Sequence, residues 1–330
     1  MYSKKALIFI ATIIIVTAIV FVLYGKNIHD DVHMVHDAIQ NEGDVYKNTH
    51  DDTVQKSVKR EDASAHVEQV EVPQAVNENK QKEQEKKDVQ KDVKQWYKPK
   101  PLTSWHWQLQ GTINTTYDVE MYDIDLEETP QSVIDQLHAQ GKKVICYFSA
   151  GTYEPFRSDA ELFVSKTRGK SVEGWEEEQW LDIAHFDAFA SIMTDRLDIA
   201  VDKRCDGVEP DNVQAYVEDT GFALTYQNQL VYNKWLAAEA HKRNLAIALK
   251  NDGEQVKDLI DDFDFAIVEE CFTYNECAPY TQFITEGKAV FGVEYEISRK
   301  KFCPQARAQK FSWLKMDYDL DGGRKDCTGF

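Results

Sequence analysis

From residue 99 to the end of the chain, short apolar runs alternate with amphipathic stretches. Residues 143–149 (KVICYFS), 245–250 (LAIALK), 263–269 (FDFAIVE) and 289–294 (AVFGVE) are almost unbroken in apolar side chains, the pattern of strands covered on both faces. Residues 105–110, 117–123, 205–211 and 311–316 complete a set of eight predicted strands. Residues 130–140, 185–204, 222–243, 252–261 and 298–309 are predicted helices, 281–287 a helical turn, and 151–180 a long loop. Strands that alternate with helices imply a parallel sheet. Eight repeats in about 230 residues predict an α/β fold of the (β/α)8 TIM-barrel class. A doubly wound open sheet is the other arrangement. No Gly-x-Gly-x-x-Gly or phosphate loop follows the first strand, so the nucleotide-binding versions lose support and no cofactor is expected.

The pattern upstream is different. Residues 6–24 are an uncharged apolar run of 19 residues behind Lys4 and Lys5, long enough to cross a bilayer as a helix. The flanking lysines put the N-terminus in the cytoplasm. Residues 1–25 are therefore expected to be an uncleaved signal anchor, with the rest of the chain extracytoplasmic, periplasmic or at the cell surface. Cleavage would make the protein secreted. Residues 26–98 are polar and nearly devoid of aromatics before Trp96. They are expected to be a disordered tether, partly helical around 81–95. Pro99-Lys100-Pro101 marks the start of the folded domain, 99–330.

Charge sharpens this division. The formal net charge is -19; residues 1–98 hold 14 basic and 16 acidic side chains, residues 99–330 hold 24 and 41. An acidic domain repels nucleic acid and attracts cations and cationic polymers. All six cysteines lie in it, an even number that suits an oxidising compartment. The expected pairs are Cys146–Cys205, Cys271–Cys277 and Cys303–Cys327. No Cys-x-x-Cys pair and no histidine cluster supports a zinc site.

In a barrel, working residues sit at the C-terminal ends of the strands. Acidic side chains close six of these ends: Asp123 and Asp125, Glu209 and Asp211, Asp252, Glu269 and Glu270, Glu294 and Glu296, and Asp317. Tyr147, Ser149, Lys250 and Asn251 accompany them. One such acid is commonly a cap, and Asp211 or Asn212 can be read as the N-cap of the following helix. A ring of acids repels itself unless a cation is expected. Glu209 and Asp211, two apart on a strand, face the same way. Two chemistries use such a ring: glycoside hydrolysis by a pair of carboxyls, or a metal site built from carboxylates. Trp105, Trp107, Tyr147, Tyr153, Trp175, Phe272 and Tyr274 near the mouth favour the first, since aromatic faces stack on sugars. Ser149-Ala150-Gly151 lacks the nucleophile-elbow pattern.

Five blocks together resemble glycoside hydrolase family 114: Trp105-His106-Trp107-Gln108-Leu109-Gln110-Gly111, Cys146-Tyr147-Phe148-Ser149-Ala150-Gly151, Cys205-Asp206-Gly207-Val208-Glu209-Pro210-Asp211-Asn212, Glu269-Glu270-Cys271-Phe272 with Cys277, and Val290-Phe291-Gly292-Val293-Glu294-Tyr295. The resemblance covers roughly residues 105–319. It implies an endo-α-1,4-polygalactosaminidase on a (β/α)8 barrel, acting on a cationic galactosamine-containing polysaccharide. It also implies catalytic carboxyls in the fourth- and sixth-strand blocks. These are carried onto Asp211 as nucleophile or base and Glu269 as general acid, with Glu209 and Glu270 as close alternatives. Substrate contacts are expected from Asp123, Tyr147, Glu209, Lys250, Asn251, Glu270, Glu294 and Trp105. The protein is expected to be a monomer that meets the membrane through its N-terminal helix. A non-catalytic polysaccharide-binding barrel and a metal-dependent hydrolase are the alternatives.

Overall fold

The structure is a computed structural model that describes residues 96–330. The expected anchor and all but the last residues of the expected tether lie outside the described residues. Among the described residues no helix is long and apolar enough to cross a membrane.

Nine strands form one sheet. In spatial order they are β1 (Trp105–Gln108), β2 (Met121–Asp125), β3 (Lys143–Ser149), β7 (Gly207–Asp211), β8 (Ala246–Lys250), β9 (Phe265–Glu269), β10 (Val290–Glu294), β11 (Ser312–Met316) and β12 (Arg324–Asp326). The first eight pair in parallel. They are the eight strands read from the sequence, in barrel order. β12, not expected, adds antiparallel to β11. The Cys303–Cys327 disulfide pins this C-terminal segment to α7 (Arg299–Ala308). The two ends of the parallel run approach each other: Trp105 Nε1 donates to Ser312 O at 2.9 Å, and Leu109 N to Leu320 O at 3.0 Å. The result is a mixed α/β, barrel-like sheet.

Period-two alternation on each strand divides the apolar side chains into two cores. Trp105, Trp107, Ile145, Ala248, Ile267, Phe291 and Leu314 fill the inside. Tyr122, Val144, Cys146, Val208, Ile247 and Val268 pack outward against the helices. Two of these helices are α1 (Gln131–Ala139) and α3 (Tyr226–Lys242). α3 begins later than expected because Thr225 and Asn228 close a capping box, with Asn228 N donating to Thr225 Oγ1 at 3.2 Å. The expected helix 185–204 is divided: a 3₁₀ stretch, Ile183–Ala188, precedes α2 (Ala190–Asp202).

The region 151–180, expected to be loop, contains an antiparallel sheet of β4 (Thr152–Tyr153), β6 (Trp175–Leu181) and β5 (Arg168–Val172). Its strands carry little apolar alternation, because much of β5 and β6 is open to water. All three expected disulfides are present, with Cα–Cα distances of 6.0 Å for Cys146–Cys205, 4.8 Å for Cys271–Cys277 and 5.2 Å for Cys303–Cys327.

The packed chain begins ahead of Pro99. Trp96 stacks on His241 with ring centroids 4.1 Å apart. Its indole N–H donates to Asp264 Oδ1 at 2.7 Å, at the end of the sheet where the strands start.

Candidate active site

The opposite end of the sheet opens into a cleft of about 890 Å³. Its floor is organised by Lys250, the last residue of β8, which is almost wholly buried. Its ammonium lies 2.8 Å from Asp211 Oδ1, 3.0 Å from Glu269 Oε2 and 3.8 Å from Glu209 Oε1, and 5.3 Å above the Trp107 ring. Burial works against the charge on Lys250, but Asp211, Glu269 and Glu209 outweigh it and hold the lysine well above its ordinary value.

Each of the two outer carboxylates has further donors. Asp211 Oδ2 accepts from Tyr147 OH at 3.1 Å and Oδ1 from Asn212 N at 2.7 Å. The N-cap reading of Asp211 and Asn212 therefore fails: β7 ends at Asp211, and Asn212 turns left-handed with φ 61°. Gly151 permits that turn, since a Cβ there would collide with the Asn212 carbonyl. Glu269 Oε1 accepts from Tyr295 OH. Asn251 brackets the same residue: its Oδ1 accepts from Glu269 N at 3.0 Å and its amide reaches Oε2 at 3.5 Å. Burial, then the adjacent carboxylates, raise both phenols, Tyr147 beside Asp211 and Tyr295 beside Glu269, so both are present as donors.

Two acids lie one layer deeper. Asp123 and Glu209 are fully buried, and as carboxylates none of their four oxygens has a donor among the described residues. Burial pushes Asp123 up to about 7, and burial plus the charge of Asp123 raise Glu209 well above the carboxylate range.

The expected site residues therefore separate. Tyr147, Asp211, Lys250, Asn251, Glu269 and Glu270 line the cleft. Asp123 and Glu209 lie beneath its floor, without contact to its space, because they sit two residues short of the strand ends. Glu294 is buried and serves the backbone, accepting from Phe272 N at 2.9 Å and Thr273 Oγ1 at 2.6 Å. Trp105 is part of the barrel interior. Glu270 adopts φ 54° and is bonded to Tyr318 OH rather than to Lys250.

Of the cleft wall, Asp125 and Trp175 were expected near the mouth, and the rest was not. Arg157 forks onto Glu154 at 2.8 and 2.9 Å and reaches Asp125 Oδ2 at 2.8 Å. β6 contributes Trp175, Glu176, Glu177 and Glu178 to the rim; the acidic run between Trp175 and Trp180 was the available signal. Trp175, 57% exposed, offers an open aromatic face. Of the other aromatics expected at the mouth, Trp107 and Tyr147 line the cleft. Tyr153 and Phe272 pack against the outer core.

The cleft can thus hold a polar, cationic chain between two carboxylates that share one ammonium. The family model described as Glycoside-hydrolase family GH114 matches residues 85–329. No curated protein sequence matches the chain. Among solved structures, Ega3 of Aspergillus fumigatus, in complex with galactosamine, is 36% identical; the match covers 71% of this chain and 99% of that one, with a TM-score of 0.68. The glycoside hydrolase domain of PelA from Pseudomonas aeruginosa is 10% identical over 69% of this chain and 98% of its own, with a TM-score of 0.54, a likeness of fold alone.

Proposed function

The chain belongs to glycoside-hydrolase family GH114, and from that premise we propose that this glycoside hydrolase cuts α-1,4-linked galactosamine polysaccharide internally, with Asp211 and Glu269 as its working carboxyls. The observation that carries the reading is the shared ammonium of Lys250, which draws the two side chains together from separate strands. Both carboxylates reach that one ammonium, at 2.8 and 3.0 Å, and we take the pair as the close-set arrangement of retaining enzymes. Asp211 then acts as nucleophile at the anomeric carbon and Glu269 as acid, then base. Exposure supports this division of labour: the Asp211 side chain is 16% exposed and that of Glu269 29%. The acid must exchange protons with the leaving oxygen and with water, and Glu269 is the more open of the two.

Substrate chemistry follows from charge. A domain with 41 acidic against 24 basic side chains over residues 99–330 attracts a deacetylated, polycationic amino-sugar chain. The galactosamine held by Ega3 supports the same assignment. Trp175 supplies a face for a sugar ring. Lys250 stands where a carboxylate-ring metal enzyme would place its cation, which disfavours that alternative. A non-catalytic binding barrel does not require two carboxyls locked at this spacing.

The full (β/α)8 closure, the division into anchor, tether and domain, the monomeric state and an extracytoplasmic, membrane-anchored location belong to this proposal. Three disulfides support an oxidising compartment. The test is to incubate the protein with partly deacetylated α-1,4-polygalactosamine and size the products. Short oligomers of retained α configuration are expected. An unshortened polymer would remove the reading, and β products would remove the nucleophile role of Asp211.

A further inference from the structure

The carboxylates of the cleft fall into those paired with a cation and those without one. Asp211 and Glu269 share Lys250, and Asp125 and Glu154 share Arg157. Glu270 has the Tyr318 hydroxyl, and Glu176 and Glu177 are open to water. Glu178, part-buried on β6, has no ion pair among the described residues. Its Oε2 accepts from Thr152 Oγ1 at 2.9 Å, and its Oε1 has no donor among the described residues.

This side chain is held in place relative to Asp211. The Thr152 hydroxyl lies 2.5 Å from that of Ser149. The Asn212 amide donates to Ser149 Oγ at 3.1 Å and to Thr152 Oγ1 at 3.2 Å. The Asn212 backbone N–H donates to Asp211 Oδ1 at 2.7 Å. A continuous chain of hydrogen bonds therefore links the wall carboxylate to the floor carboxylate. A part-buried carboxylate without a cation is costly unless its ligand brings one. Burial, opposed by the Thr152 hydrogen bond and reinforced by Glu154 and Asp211, pushes Glu178 up to about 7. An arriving cation would ionise it.

We propose that Glu178 is the residue that recognises the substrate's amino group, its Oε1 accepting from the 2-ammonium of a galactosaminyl unit in a subsite beside Asp211. The assignment rests on the polygalactosaminidase reading and deepens it: Glu178 makes the cleft select deacetylated units over N-acetylated ones. An acetamide carries no charge and places a carbonyl dipole against a carboxylate.

The experiment measures binding separately from turnover. Affinity for fully deacetylated and fully N-acetylated α-1,4-galactosamine oligomers is determined by calorimetry on the Glu269→Gln protein, alone and combined with Glu178→Gln or Glu178→Asp. A charge-assisted hydrogen bond lost on neutralisation corresponds to about tenfold or more in affinity. Glu178→Gln is expected to weaken the deacetylated oligomer by that factor and leave the N-acetylated one within about twofold, while Glu178→Asp recovers part of the loss. Equal weakening of both oligomers, no change in either, or no binding of the deacetylated oligomer would overturn the assignment. Turnover by the Glu269-bearing protein is read in parallel. Selective binding without cleavage would refute the hydrolase reading and leave the ammonium site standing.

Discussion

The two ends of the sheet treat their carboxylates in opposite ways. Where strands begin, Asp206 accepts from Lys143 Nζ at 2.6 Å, His138 Nε2 at 3.0 Å and Val144 N at 3.0 Å. Asp264 accepts from Trp96 at 2.7 Å, His241 at 2.9 Å and Ile247 N at 3.1 Å. Each acid there is surrounded by donors and ties neighbouring segments together. Where strands end, Asp123 and Glu209 have no donor among the described residues, and three acids gather around Lys250. The first arrangement stabilises the fold. The second costs stability, and its return is a cleft whose carboxyls are held ready for glycoside hydrolysis. The contrast locates stability at one end of the molecule and chemistry at the other.

The sharpest way to break this contrast is Lys250→Met. Removing a buried ammonium strands Asp211 and Glu269 together, a loss of about 3–5 kcal/mol. Denaturant unfolding should show that loss and turnover should be abolished. A stable, active variant would mean that Lys250 does not organise the floor. Next in size is Asp264→Ala at the other end. Denaturant unfolding should register a loss of about 2–4 kcal/mol, from the three donors, one buried and two part-buried, left unpaired. Turnover per folded molecule should stay unchanged. A fall in turnover with no loss of stability would erase the division between the ends.

The smallest effect concerns pH. Glu209 is raised in the folded protein, so its ionisation costs stability as pH climbs from the ordinary carboxylate range, and no such cost exists below it. Glu209→Gln removes the ionisable group. Its melting temperature should exceed that of the unaltered protein by about a few degrees at pH 8, and the gap should close toward pH 5. A variant that melts below the unaltered protein at pH 8 would show that Glu209 is held as a carboxylate by Lys250.

Much of the fold was legible because buried parallel strands leave continuous apolar runs, as at 143–149 and 245–250. Asp211 and Glu269 were legible as strand-end acids in blocks that resemble the family, Glu269 closing the apolar run 263–269 and Asp211 the last residue of β7. Depth was not. Glu209 and Asp211 share a face of β7 but differ by two residues, about 6–7 Å along the strand, which separates the cleft floor from the layer beneath it. The same displacement hides Asp123 relative to Asp125. Glu294 looked like a cleft acid because its duty to Phe272 N depends on the short helix Cys271–Tyr274, which precedes its strand. The insert around β4, β5 and β6 was missed because its strands are short and wet, and they exist through pairing with each other. Glu178 was therefore indistinguishable from its acidic neighbours.

The central claim is tested most directly by turnover and melting temperature measured together on Asp211→Asn and Glu269→Gln. With deacetylated α-1,4-polygalactosamine as substrate, both variants should release reducing ends about 10³-fold or more slowly than the unaltered protein. Their melting temperatures should stay within a few degrees of it. Either variant cutting the polymer at the unaltered rate while fully folded would contradict the account.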